Sequence, residues 1–344
     1  MTTADTATRP ALTDQAGKLL ANLAGYVGHR TIEIGLRHGL IAQLAQHPDG
    51  ITPETLATQT TLDAFYVGVW CQSALAAELL EEDGDRYRLT PHMGTLLLDL
   101  ESPAYMGGTF IVLTQPEVFD TFAERLPTGE HIWWDQTSAD WIAGVAGTGG
   151  AFYNRLIPGG LERVPGLVDA LNGQARVLET ACGAGVGLVK LATGYPACSF
   201  VGVDGDAYSL ELAADKLRAA ELTDRVELVH SPLEDLAYDE EFDVVVNNIS
   251  MHECRDIDKV ITNTYRALKP GGVFVISDFP FPDTTEGLRS PAGRFMSGIQ
   301  FFEALIDDQL LPIRAYLDLL TRHDFRQVDT VAISPVHAIT YGRR

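Results

Sequence analysis

The sequence predicts an α/β fold, a doubly wound and mostly parallel sheet, preceded by a mainly helical region. Three observations predict it. Apolar strand signals recur in residues 175–178, 199–203, 226–233, 242–248 and 273–276, with helical patterns between them. The run Val177-Leu178-Glu179-Thr180-Ala181-Cys182-Gly183-Ala184-Gly185-Val186-Gly187 joins the first strand to a helix through a turn of small residues. The first 100 residues contain no such turn and read as short helices.

At 344 residues the chain is long enough for two domains, and 46% hydrophobic content supports a packed core. The expected boundaries are a helical domain over 1–100, a helical linker and pocket segment over 101–172, and a cofactor-binding domain over 173–344. No apolar run approaches the ~20 residues needed to span a bilayer, and Met1–Pro10 lacks a secretory pattern. Cys71, Cys182, Cys198 and Cys254 have neither zinc-ligand nor disulfide-framework spacing. These features predict a cytoplasmic protein with no membrane partner. A net charge of −22 opposes binding to nucleic-acid backbone or anionic lipid.

The elements follow in order. Residues 19–44 are apolar at helical spacing, with a break expected near Gly28. Thr52 and Pro53 read as N-cap and first position of a short helix. A longer apolar helix is expected over 62–80, then a turn over 81–85 and a strand over 86–90. From Ile51 to Leu80 there is no Lys or Arg, so a DNA-reading helix there would lack the phosphate contacts that dominate affinity. The segment 102–172 is aromatic, with Tyr105, Phe110, Phe119, Phe122, Trp133, Trp134, Trp141, Phe152 and Tyr153, and Gly144, Gly147, Gly149 and Gly150 interrupt it. Such residues can line a pocket or simply pack between helices.

In the glycine turn, Gly183 and Gly185 let a ligand approach the backbone. The second strand ends in Asp204, whose carboxylate can accept hydrogen bonds from both ribose hydroxyls. The spacing Glu-x-x-x-Gly-x-Gly departs from a dinucleotide fingerprint and from a phosphate loop ending in Gly-Lys-Ser/Thr. An acid at Glu179 suits a ligand carrying a cationic amino group.

These residues resemble motif I of class I S-adenosylmethionine-dependent methyltransferases. Phe200-Val201-Gly202-Val203-Asp204 is similar to the family's second motif, and Pro270-Gly271-Gly272 to the turn before its fifth strand. The helices and hairpin of the first 100 residues resemble the winged-helix module in front of many small-molecule O-methyltransferases. The resemblance implies a Rossmann-like sheet and S-adenosylmethionine held by Glu179, Ala181, Gly183, Gly185, Asp204, Asn247 and Tyr153, with Ser231, Pro232 and Leu233 along the adenine edge. It also implies a homodimer formed by the N-terminal module and a small-molecule acceptor. Ala181 replaces the family's usual glycine, and slight crowding of the turn is expected there.

Ser250-Met251-His252-Glu253-Cys254-Arg255-Asp256 follows the fourth strand and resembles the family's His-x-Trp-x-Asp segment, with Cys254 in place of Trp. The resemblance implies that His252 deprotonates the acceptor hydroxyl. With a reference pKa of ~6.5, an imidazole can take a proton near neutral pH. Asp278 closes the fifth strand. Glu303, on an inserted apolar segment, is expected to orient His252 or bind a polar group of the substrate. No metal is expected. The alternative reading is methyl transfer to carbon alpha to a keto acid carbonyl, with or without a metal.

Overall fold

The computed structural model describes residues 11–132, 136–137 and 139–344, so Met1–Pro10, Trp133 and Trp134 lie outside the described residues. Its contacts divide the chain into two units, which meet in sequence between Asp99 and Leu100. The stretch expected as a separate linker, 101–172, falls within the second unit.

The first unit begins with the helix Leu12–Arg37. Gly28 does not break it. Glycine in a helix interior costs only ~1 kcal/mol relative to alanine. The turn comes at Gly39, whose φ of 72° suits a residue without a Cβ. Thr52 caps the helix Pro53–Thr60 through its hydroxyl, as its sequence predicts. The next helix is shorter than 62–80 and runs over Ala64–Ala76. Asp63 starts it by accepting from the Phe65 and Tyr66 N–H groups. The strands β1 (Leu80–Asp83) and β2 (Arg86–Leu89) form an antiparallel wing. Gly84, at a φ of 65°, makes the tight turn between them, so Glu81, Glu82 and Asp83 belong to a strand rather than to the turn. Trp70 anchors this unit, donating from its indole nitrogen to the Thr31 carbonyl at 2.9 Å.

Among the described residues of the second unit, β3 (Arg176–Thr180), β4 (Ser199–Asp204), β5 (Val226–His230), β6 (Phe242–Asn248), β7 (Leu268–Asp278), β8 (Arg326–Ser334) and β9 (His337–Arg343) form a seven-stranded sheet. Its order is β5-β4-β3-β6-β7-β9-β8. The strands β3 to β7 pair in parallel, whereas β9 is antiparallel to β7 and to β8. Successive residues of a strand face opposite sides, and both faces here are apolar. Val177, Val244, Val246, Val273 and Val275 enter one core with Leu188 and Leu191. Leu178, Val245, Phe274 and Ile276 enter the other with Ile261, Leu319 and Leu320. Burial on both faces is what makes these strands near-continuous apolar runs.

The chain leaves β3 toward β4 on one side and returns to β6 on the other. This reversal opens a crevice at the carboxyl ends of β3, β4 and β6, where doubly wound sheets bind ligands. The helix Ala139–Arg155 runs on through Gly144, Gly149 and Gly150, so these glycines do not interrupt the aromatic segment. Trp141 stacks on Phe302 with ring centroids 4.2 Å apart, and Phe122 meets Phe301 at 4.7 Å. These contacts hold the inserted helix Pro291–Leu305.

Candidate active site

Two groups of side chains collect at the carboxyl ends of the strands. The first surrounds the turn after β3. Glu179 is fully buried, and neither carboxylate oxygen has a hydrogen-bond partner. Burial drives its pKa up to about 8, although the nearby Tyr153 hydroxyl and Leu188 N–H pull it down. Gly187 opens the helix Val186–Gly194 directly against this carboxylate. A Cβ there would lie 2.0 Å from Glu179 Oε1 and 2.2 Å from the Tyr153 ring, so only glycine fits.

Gly183 has a φ of 50° and nothing within 4 Å of where a Cβ would be. Its N–H donates to Asp204 Oδ2 at 2.7 Å, and the Asp206 N–H donates to Oδ1 at 2.8 Å. Gly185 has a φ of 76°, and a Cβ there would strike Ala213 at 2.8 Å. Ala181 is affected differently from the expected crowding. It holds a φ of 52°, in the left-handed region that favours glycine. Asn247 is buried and donates to Thr180 Oγ1 at 3.0 Å, leaving its Oδ1 unpartnered. Ser231 and Pro232 stand just past β5, while Leu233 is buried in the second core.

The second group is built on His252. It lies in a short helical turn, Met251–Glu253, beyond β6. Ile249 precedes that turn at a φ of 47°, strained for a β-branched residue, and its N–H donates to the Ser277 carbonyl at 2.7 Å. His252 is buried and donates from Nδ1 to Asp278 Oδ2 at 2.8 Å. Asp278 also accepts from the Tyr316 hydroxyl at 2.6 Å and from the Phe279 N–H at 2.7 Å. Three donors therefore fix this carboxylate, and it fixes the ring. His252 Nε2 lies 3.6 Å from Glu303 Oε2, which has no hydrogen-bond partner. Burial lowers the His252 pKa, but Asp278 and Glu303 outweigh it and hold the group well above 6.5. Glu253 is pushed well above 4.5 by burial and by Glu303. Asp308 is pushed up to about 7 for the same two reasons.

The first group fits a cationic nucleoside-type ligand. It offers a buried carboxylate without a partner, an open glycine turn and an acid at the tip of β4. The stretch 177–272 matches the family model described as a methyltransferase domain. Residues 177–272 form a methyltransferase domain. The chain is 30% identical over 139 residues to the ubiquinone/menaquinone biosynthesis C-methyltransferase of Geotalea daltonii, covering 38% of this chain and 58% of that protein. It is also 30% identical over 182 residues to the 27-O-demethylrifamycin SV methyltransferase of Amycolatopsis mediterranei, covering 51% of this chain and 62% of that one. The matches thus span less than two thirds of these relatives. The fold is similar to that of human N-acetylserotonin methyltransferase, solved in complex with S-adenosylmethionine. That likeness has a TM-score of 0.68 and 16% identity over 98% of this chain and 99% of the human one.

Asp278, Tyr316 and Glu253 were given no part in the site by the sequence. The signal for Asp278 was available. It ends the strand beside β6, with Asn248 opposite Ser277, so its carboxylate and the residues after Asn248 emerge together. Tyr316 comes from a helix 38 residues further on, and nothing local marks it.

Proposed function

We propose that the protein transfers the methyl group of S-adenosylmethionine to a hydroxyl of a small acceptor, with His252 as general base. The observation that supports this most directly is the fixed His252–Asp278 pair. Its Nε2 faces Glu303 at 3.6 Å, and the Glu179 carboxylate, without a hydrogen-bond partner, lies at the end of β3. Glu179 receives the cofactor's ammonium group, Asp204 its ribose hydroxyls, and Gly183 and Gly185 allow close approach of the turn. Ser231 and Pro232 border the adenine.

What the cofactor supplies is an electrophilic methyl on a sulfonium, whose positive charge also lowers the pKa of a nearby imidazole. That charge opposes Asp278 and Glu303, which raise the His252 pKa. The neutral ring takes the acceptor's proton on Nε2 as the oxygen attacks. Asp278 holds the ring in place and stabilises the imidazolium that forms.

General-base catalysis contributes typically ~10²–10⁴-fold. His252→Ala is expected to lower turnover by about that factor, with cofactor affinity nearly unchanged by calorimetry. Asp278→Asn is expected to lower turnover and to move the rising limb of the pH–rate profile to lower pH, because the carboxylate that raises the His252 pKa is gone. Retention of most turnover in His252→Ala would exclude the base assignment. A second reading keeps the cofactor but delivers the methyl to carbon, and the similarity to a C-methyltransferase favours it. Mass spectrometric fragmentation of the product distinguishes a methyl on oxygen from one on carbon.

We further propose a homodimer formed through the first unit. Leu12, Leu19, Leu20, Leu23 and Tyr26 of its first helix are each at least 65% exposed, and Phe65 and Tyr66 about 75%. Apolar exposure of this kind on a chain of charge −22 suits a second copy better than DNA.

A further inference from the structure

We propose that Nε2 of His252 and the carboxylates of Glu253 and Glu303 form a binding site for one divalent transition-metal ion. One ligand atom from each of the three residues lies within 4.8 Å of the other two. Donors that share an ion at ~2.0–2.2 Å stand roughly 3–4 Å apart, so small side-chain rotations complete the set. The residues come from two elements. His252 and Glu253 are consecutive in the turn after β6, and Glu303 projects from the inserted helix Pro291–Leu305.

Two further observations point to a cation. Glu303 is only 5% exposed, and its Oε2 accepts no hydrogen bond while lying 3.6 Å from the imidazole Nε2. His252 already donates from Nδ1 to Asp278 at 2.8 Å. That is the second-shell arrangement that orients metal-binding imidazoles and leaves the other nitrogen for the ion. The donor set is one imidazole nitrogen and two carboxylate oxygens. It suits Zn²⁺, Mn²⁺ or Fe²⁺, and it offers neither the thiolates preferred by soft ions nor the six to eight oxygens of a calcium site. Cys254 is turned away toward the Ser250 carbonyl, 3.7 Å from its Sγ. An ion on Nε2 and the proton of the transfer step compete for the same nitrogen, so a metal-loaded chain cannot use His252 as its base.

The test reads binding without an acceptor, so failure to bind an ion leaves the transfer reading standing and is told apart from a failure of turnover. Chelator-stripped full-length protein is titrated calorimetrically with ZnCl₂ and MnCl₂, with MgCl₂ as a hard-ion control. Glu253→Gln and Glu303→Gln are measured alongside, with circular dichroism to check each fold. The expected result is one equivalent of Zn²⁺ or Mn²⁺ per chain, about tenfold weaker or more in each folded variant, and weaker uptake of Mg²⁺. The site is overturned if folded wild-type protein takes up neither ion at millimolar concentration, if folded Glu253→Gln binds as tightly as wild type, or if Mg²⁺ binds as tightly as Mn²⁺.

Discussion

Glu179 sets the protonation chemistry of the cofactor turn. Its folded pKa of about 8 exceeds the ordinary 4.5. Between those values the folded chain holds more protons than the unfolded one, so stability falls as pH rises through this window. His252 acts in the same direction over a higher range. Its contribution is fully present below 6.5 and is lost as pH rises through its raised folded value. The thermal midpoint of the ligand-free protein is therefore expected to fall as pH rises from 4.5 to 8, and Glu179→Gln to flatten that fall. A second consequence concerns binding. An ammonium group requires the carboxylate to ionise, so at pH 7 binding of S-adenosylmethionine should release close to one proton. Calorimetry in two buffers of different ionisation enthalpy measures that release. Glu179→Gln should reduce it by the share that Glu179 supplies, and a wild-type release near zero would separate Glu179 from the ammonium site.

At the scale of elements, caps and turns decide where the regular patterns stop. Asp63 satisfies two N–H groups at the start of Ala64–Ala76. Asp63→Ala should cost about 1 kcal/mol, read as a lower denaturant midpoint with an unchanged m-value; a shift near zero would show that solvent replaces the cap. The sequence carried the sheet well because β3, β4, β6 and β7 are buried on both faces and read as apolar runs between turns. It carried the ends of helices less well. Gly28 reads like a break, yet helix continuity around it is decided by neighbours, while Gly39 breaks the helix by its φ of 72°. The expected helix over 62–80 took in Leu79 and Leu80, whose apolar character serves a buried bend and the first position of a wing strand equally well. In the candidate site, a local motif or a strand end marks Glu179, Asp204 and His252, while Glu303 stands out only as a carboxylate on an inserted apolar helix. Asp278 and Tyr316 act through a carboxylate that only the β6–β7 pairing brings beside His252, and Ala181 hides its left-handed φ because alanine ordinarily avoids it.

For the whole molecule, charge and apolar surface make opposite demands. A net charge of −22 makes like chains repel at long range, whereas the first helix leaves Leu19, Leu20 and Leu23 largely in water. Burial of apolar area yields about 25 cal/mol per Å² and is little affected by salt, while repulsion between exposed charges is screened beyond ~8 Å at physiological ionic strength. Association through the first unit should therefore tighten as salt is raised, the reverse of what DNA binding would show. Light scattering at micromolar concentration is expected to give the mass of two chains, with a dissociation constant that falls between low and physiological salt. The double substitution Leu20→Glu and Leu23→Glu places like charges on the apolar face without touching the buried core, and it is expected to give a folded monomer. A wild-type monomer at these concentrations would show that this face serves another partner, and tight DNA binding that weakens with salt would assign the wing and its preceding helix to nucleic acid.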